Sequence, residues 1–161
     1  ITEVIALANN NNIITTVDPK LKSFFSFKNV TLFKPNFKEL QDGIQRSVNV
    51  KDQLELKRGI EDLKKALSAT YVFVTLSEHG VVMLSDSAYH HIPAHIRNIA
   101  DVSGAGDTVI SVATLCLVAG LPPERIAEIA NLAGGLVCEE LGVVAIQANM
   151  LRKEVEKLLA C

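Results

Sequence analysis

The sequence predicts an α/β protein in which short buried strands alternate with helices and the ligand chemistry gathers where the strands end. Three runs, Ile13–Val17, Val30–Phe33 and Tyr71–Val74, are apolar, rich in β-branched or aromatic residues, and of strand length. Helical patterns lie between them, clearest in Leu54, Leu56, Ile60, Leu63 and Leu67. Each strand closes on polar turn residues: Asp18-Pro19-Lys20, Lys34-Pro35-Asn36 and Thr75-Leu76-Ser77-Glu78-His79-Gly80. Open α/β sheets bind their ligands at such C-terminal strand edges.

With 161 residues, 48% of them hydrophobic, the chain has the length of one domain and the apolar content for a real core. Its 16 basic and 18 acidic residues leave a net charge of −2, so no general attraction to nucleic acid or to an anionic membrane is expected. The most apolar run, Val109 to Leu121, contains Ser111 and Thr114 and falls short of the roughly 20 residues that a bilayer span needs. Cys116, Cys138 and Cys161 are an odd, widely spaced set with no metal-ligand pair among them, which predicts reduced thiols in a cytoplasmic protein. Ile1-Thr2-Glu3 lacks an initiator Met and leads straight into helical residues, so the chain is expected to be the C-terminal part of a longer protein.

Residues 2 to 8 read as a helix end, stopped by the asparagine run at 9–12. The first strand sets Asp18 and Lys20 at its C-terminal edge, where ligand contact and plain Asp-Pro turn chemistry are both open readings. Phe24, Phe25 and Phe27 show no clean period and suit a short helix or loop packed on the sheet. After the second strand, Asn36 can cap a helix beginning near Phe37, with Glu39 at the capping-box position. The same two side chains could help hold a magnesium ion and its waters near nucleotide phosphates, and the two roles are compatible.

Val50 to Leu67 reads as an amphipathic surface helix. Past the third strand, Thr75 and Ser77 are candidate donors to phosphates and Gly80 supplies the turn into Val81–Leu84; a hairpin turn of small polar residues is the alternative. His79, His90, His91 and His95 lack a metal spacing and read as surface residues. Tyr89–Ile96 suggests another strand, with Pro93 at an edge or at its end.

The stretch Asp101-Val102-Ser103-Gly104-Ala105-Gly106-Asp107 then joins a polar run to an apolar helical segment, Thr108 to Leu117, that reads as buried. Glycines flanking alanine let the backbone turn sharply, and the first N–H groups of the helix lack intrahelical partners, so an anion can sit there. Asp107 beside that spot suits a base for a hydroxyl attacking a phosphoryl group; a strand-to-helix turn with a first-turn aspartate favoured by the helix dipole is the plainer account. Gly120 to Glu124 stops this helix and starts another. Ile126–Leu141 is apolar on most sides. Its Gly134-Gly135 permits close approach of a packed neighbour or of an adenine ring, and Asn131 offers a contact for a base or ribose or is a polar residue satisfied by its own surroundings. Asn149–Leu159 completes the pattern as an amphipathic helix.

Taken together, Asn36-Phe37-Lys38-Glu39, Val74 to Gly80, Asp101 to Thr108, and Asn131 with Ala133-Gly134 occur in an order and spacing that resembles the ribokinase-like (PfkB) carbohydrate kinase family. Within it the chain most resembles kinase domains acting on D-glycero-β-D-manno-heptose 7-phosphate, through Val17–Lys20, Thr31–Asn36, Val74–Glu78 and Asp101–Ile110. The resemblance takes in residues 1–161 as the C-terminal, nucleotide-binding part of a single sugar-kinase domain, without the N-terminal part and lid that carry most sugar contacts.

It implies a three-layer α/β/α sandwich with a mostly parallel sheet, ATP and Mg2+ along the C-terminal strand edges, and phosphorylation of a sugar hydroxyl, as in a bacterial lipopolysaccharide-precursor pathway. It also implies that Asp107 is the base and that the amides of Gly104, Ala105 and Gly106 form the anion hole. Asn36 and Glu39 would serve the metal through water; Thr75, Ser77 and Gly80 would lie near the phosphates, Asp101 on the nucleotide side, and Asn131 and Gly134 beside the nucleoside. Gly142-Val143 stands where relatives often have Gly-Thr, which removes a hydroxyl near the nucleotide. A kinase for fructose, ribose or a keto-deoxy acid and, for this chain alone, a catalytically silent nucleotide-binding module are the alternative readings. A homodimer is compatible with each.

Overall fold

The computed structural model describes residues 1–95 and 97–160; Ile96 and Cys161 lie outside the described residues, and the strand expected over Tyr89–Ile96 ends at Ile92, just before Pro93, with residues 93–95 outside the sheet. Helix α1 (Thr2–Asn10) leads to β1 (Thr16–Val17), and a 3₁₀ segment (Leu21–Ser26) to β2 (Leu32–Phe33). Helices α2 (Phe37–Ile44) and α3 (Gln53–Leu67) follow, then β3 (Tyr71–Thr75), a 3₁₀ turn (Ser77–His79), β4 (Val81–Leu84) and β5 (Tyr89–Ile92). Helices α4 (Ala105–Val118), α5 (Pro123–Val137) and α6 (Ala148–Leu159) complete the order.

The five strands form one sheet in chain order; β1, β2 and β3 are parallel, and β4 and β5 extend the sheet as an antiparallel meander. Alternate strand residues face opposite layers, as the pleat requires. On one face Phe33, Val72, Val74, Val82 and Leu84 join the core that holds Leu40 of α2 and Leu56, Ile60 and Leu63 of α3. On the other, Leu32, Phe73, Val81 and Met83 meet Val109 and Val112 of α4 and Ala127 and Ala130 of α5. The result is the α/β/α sandwich expected.

Capping residues set several helix starts. Asn36 and Glu39 form a reciprocal capping box on α2, and the Asp52 carboxylate accepts the N–H groups of Leu54 and Glu55 at the start of α3. Phe24 of the 3₁₀ segment is buried edge-on against Phe33, with ring centroids 5.0 Å apart, while Phe25 is exposed.

Three expectations need correction. The first strand is shorter than Ile13–Val17, and Ile13 and Ile14 are exposed. β1 is the sheet edge, and just before it Thr15 and Thr31 exchange hydrogen bonds between side-chain hydroxyl and backbone N–H, which displaces the ladder. Helix α4 is not buried all round: Val109, Val112, Ala113 and Cys116 face the core, while Leu115 and Val118 are exposed on the opposite side. Helix α5 stops at Val137, and Leu141 is exposed. The Cys138 carbonyl, free to continue the helix, instead accepts the N–H groups of Ala100 and Asp101, and the Gly142 N–H donates to the Asp101 carboxylate. Among the described residues no helix is long and apolar enough to cross a membrane.

Candidate active site

The turn into α4 is built on Gly104, whose φ of +79° suits only glycine without strain. Asp101 shapes the loop before it. One carboxylate oxygen accepts the Ser103 N–H at 2.9 Å and the Ser103 hydroxyl at 2.8 Å, and the other accepts the Gly142 N–H at 3.0 Å. The Ser103 backbone bond, then its hydroxyl and the Gly142 bond, hold this carboxyl below the usual carboxylate range. Asp107 sits in the first turn of α4, exposed, and its carboxylate makes no hydrogen bond or ion pair with the described residues.

Beside this turn lies a cavity of about 610 Å³ that brings together residues far apart in sequence. Thr75, Ser77 and Gly80 line it from the β3–β4 connection, Ala105 and Gly106 from the start of α4, and Asn131 and Gly134 from α5. The β3–β4 connection is also the hairpin turn that was the alternative reading, with the Leu76 N–H donating to the Gly80 carbonyl. Asn131 donates its amide to the Pro93 carbonyl at 2.9 Å, which leaves its side-chain oxygen for another donor. A Cβ on Gly134 would lie 2.6 Å from Val109 Cγ2, so close packing of α5 on α4 alone requires glycine here. Gly104, Asp101, Asp107, Asn36 and Glu39 are not among the cavity-lining residues.

His95, Arg97 and Cys138 also line the cavity, which sequence reasoning missed. The available signal was a histidine near the end of the run read as a strand and an arginine just after it, with Cys138 on the apolar segment of Ile126–Leu141. The Arg97 guanidinium reaches Glu139 at 2.9 Å and Glu154 at 3.2 Å, tying this segment to the end of α5 and to α6. Burial, then the Arg97 charge, pushes the His95 imidazole down, with Glu154 opposing. Burial and the Asp101 charge push the Cys138 thiol up, so it is protonated near neutrality. The histidines are half-buried rather than at the surface; His91 donates to the His79 carbonyl and accepts from the Gln53 amide.

Asn36 lies at the rim through a parallel bridge to Thr75, whose N–H donates to the Pro35 carbonyl at 3.2 Å. Its side-chain oxygen accepts the Glu39 N–H and one Glu39 carboxylate oxygen accepts the Asn36 N–H, each at 2.8 Å. Among the described residues no group of three or more His, Cys, Asp and Glu is placed to hold a metal directly.

Lys34 was also missed. It is the one charged side chain among the buried described residues, 2% exposed, and its ammonium pairs with the Asp18 carboxylate at 3.2 Å. The same nitrogen lies 3.7 Å from where a Cβ on Gly106 would stand. A lysine ending an apolar strand just before a proline was its only mark in the sequence.

Residues 1–149 match the model of the pfkB family carbohydrate kinases. The chain belongs to the pfkB family. It is 37% identical over 155 residues to the bifunctional protein HldE of Alcanivorax borkumensis, covering 96% of this chain and 32% of that protein. To HldE of Campylobacter concisus it is 35% identical over 143 residues, with 89% and 29% covered. The pfkB chain thus spans about a third of the length of these relatives. Among solved structures it is similar to phosphofructokinase-2 from Escherichia coli in complex with potassium, with a TM-score of 0.87 at 21% identity, covering 98% of this chain and 52% of that one. The ribokinase of Arabidopsis thaliana complexed with ribose and ATP gives 0.78 at 18% identity, covering 98% and 51%. These likenesses establish the ribokinase-like fold of this pfkB chain.

Proposed function

We propose that residues 1–161 are the nucleotide-binding part of a sugar-kinase domain that transfers the γ-phosphoryl group of ATP to the anomeric hydroxyl of a heptose 7-phosphate. The observation that carries this reading is the exposed, unpartnered Asp107 carboxylate one residue past Gly106, at a helix N-terminus that borders the cavity. The Gly104 and Gly106 amides, joined by the Ala105 N–H when it exchanges its long 3.3 Å bond to the Val102 carbonyl, hold the phosphoryl oxygens as charge builds on them. Asp107 accepts the hydroxyl proton while the sugar oxygen bonds to the γ-phosphorus and the bond to the β–γ bridging oxygen breaks, releasing ADP.

Thr75 and Ser77 donate to phosphate oxygens, and Asn131 and Gly134 accept the nucleoside at the α5 end of the cavity. Asp101 acts on the nucleotide side by shaping the glycine turn. The capping box engages one oxygen of Glu39 and leaves the other able to accept from a metal-bound water, while the Asn36 NH2 remains a donor for a phosphate oxygen, which fits hydrated magnesium rather than a direct protein cage. Bound there, magnesium supplies neutralisation of phosphate charge.

The choice of heptose 7-phosphate rests on the resemblance of Val17–Lys20, Thr31–Asn36, Val74–Glu78 and Asp101–Ile110, supported by 37% identity to HldE against 18 to 21% for ribokinase and phosphofructokinase-2. A coupled ATP-consumption assay on the intact protein tests it, with heptose 7-phosphate run beside fructose, ribose and a keto-deoxy acid. Heptose 7-phosphate should give a kcat/KM at least about 10-fold above the others. Preference for another sugar moves the assignment within the family, and no sugar-dependent consumption contradicts the kinase reading.

A further inference from the structure

We infer that Asp18 is a positioning residue for this transfer, holding the Lys34 ammonium against the glycine turn so that the incoming phosphoryl group meets a fixed positive charge; the inference rests on the kinase reading of the same site. The backbone sets the pair. The Lys34 N–H donates to the Val17 carbonyl at 2.8 Å, so the register of β1 on β2 sets Asp18 beside Lys34 where both strands end. The Thr114 hydroxyl of α4 donates to the Ile110 carbonyl and accepts from the Thr16 hydroxyl at 2.9 Å, which ties β1 to the helix whose first turn carries Gly106. Three elements therefore fix where the ammonium stands.

Stability does not explain that position. A buried ion pair contributes little net, because desolvation offsets most of the attraction, and an apolar side chain of similar length would fill the space as well. A helix N-terminus also disfavours a cation. Lys34 is nonetheless buried 3.7 Å from the Cβ position of Gly106, where the ammonium adds to the positive potential of the dipole, with the Asp18 carboxylate paired to it and the exposed Asp107 carboxylate in the same turn. That positive potential is suited to a multiply charged anion. Beyond its chain neighbours and its own helix backbone, the lysine nitrogen is the described atom that stands within 4 Å of the Gly106 Cβ position, so the ammonium borders this turn directly. When phosphate arrives, Lys34 shares its charge with it while Asp18 keeps the ammonium from swinging away.

The test uses the intact enzyme with Asp18→Asn, Lys34→Met and the double variant, each measured for kcat, KM for ATP and thermal stability. Asp18→Asn should lower kcat on the order of 10-fold with KM for ATP changed by less than about threefold, and Lys34→Met should lower kcat on the order of 10²-fold. The double variant leaves no buried charge, so it should regain stability yet stay at the turnover of Lys34→Met alone. Turnover that returns along with stability overturns the inference. So does wild-type kcat in Asp18→Asn, or a double variant slower than Lys34→Met by the whole Asp18 factor. If the wild-type protein consumes no ATP with any sugar, the kinase reading fails by itself, and equilibrium binding of ATP and ADP then reads the pair. Each single variant should shrink the preference for ATP over ADP several-fold, and an unchanged ratio overturns the inference.

Discussion

The Asp101 carboxylate accepts the Gly142 N–H at 3.0 Å, and the Asp101 N–H donates to the Cys138 carbonyl at 3.2 Å, so the loop entering the glycine turn is stitched to the chain leaving α5. One residue thereby fixes the approach to the glycine turn and the end of the helix on the other side of the cavity. Asp101→Ala should free both loops and raise KM for ATP several-fold with a smaller effect on kcat, as steady-state kinetics of the intact enzyme will show. The pH dependence follows from the lowered carboxyl. Its folded value lies below the unfolded one, so the tether's contribution is present above the unfolded carboxylate range and is lost as pH falls through the folded value. Titration of the Asp101 carboxyl by NMR should therefore show no change between about pH 5 and 8, with protonation below the ordinary range near 3.9.

The capping box on α2 separates architecture from chemistry. Asn36→Ala removes the acceptor for the Glu39 N–H and should cost about 1 kcal/mol of stability in a denaturant melt. Glu39→Gln keeps an oxygen able to accept the Asn36 N–H, so its melt should shift by less than about 0.5 kcal/mol. Its turnover should nevertheless need several-fold more magnesium. Equal magnesium dependence in wild type and Glu39→Gln would assign the pair to capping alone.

Much of this was legible because local rules and the global fold agree. Asn36 and Glu39 carry a capping signature within four residues, and the strands from Tyr71 and Val81 are apolar runs buried on both faces, so both could be read without tertiary knowledge. The order of Asn36, Thr75, Gly106 and Asn131 along the chain also pointed to one cavity edge, and the fold brings Thr75, Gly106 and Asn131 to it with Asn36 at its rim. What stayed hidden depends on partners distant in sequence. The shortness of β1 comes from the Thr15–Thr31 exchange, and the exposed face of α4 cannot be told from its buried face when both are apolar. The Asp18–Lys34 pair needs strand register, and Arg97 needs Glu139 and Glu154, which lie 42 and 57 residues away.

Gly134 combines packing with a place in the cavity wall. An alanine there would put its Cβ 2.6 Å from Val109 Cγ2, so Gly134→Ala should destabilise the protein by about 1–3 kcal/mol through overpacking of α4 and α5. Adding Val109→Ala should recover part of that loss in the same thermal melt. If nucleotide affinity stays low in the double variant after stability returns, the glycine also gives the nucleoside its room; if affinity recovers, packing accounts for it.

The central claim is that Asp107 is the base, and Asp107→Asn in the intact enzyme tests it most directly. The side chain is exposed and has no side-chain partner, so the substitution should leave ATP affinity unchanged and lower the melt only by the small favourable interaction of its charge with the helix dipole. Turnover with heptose 7-phosphate in the coupled assay should fall on the order of 10²-fold or more. Turnover within about twofold of wild type, with ATP still bound, would contradict the role given to Asp107.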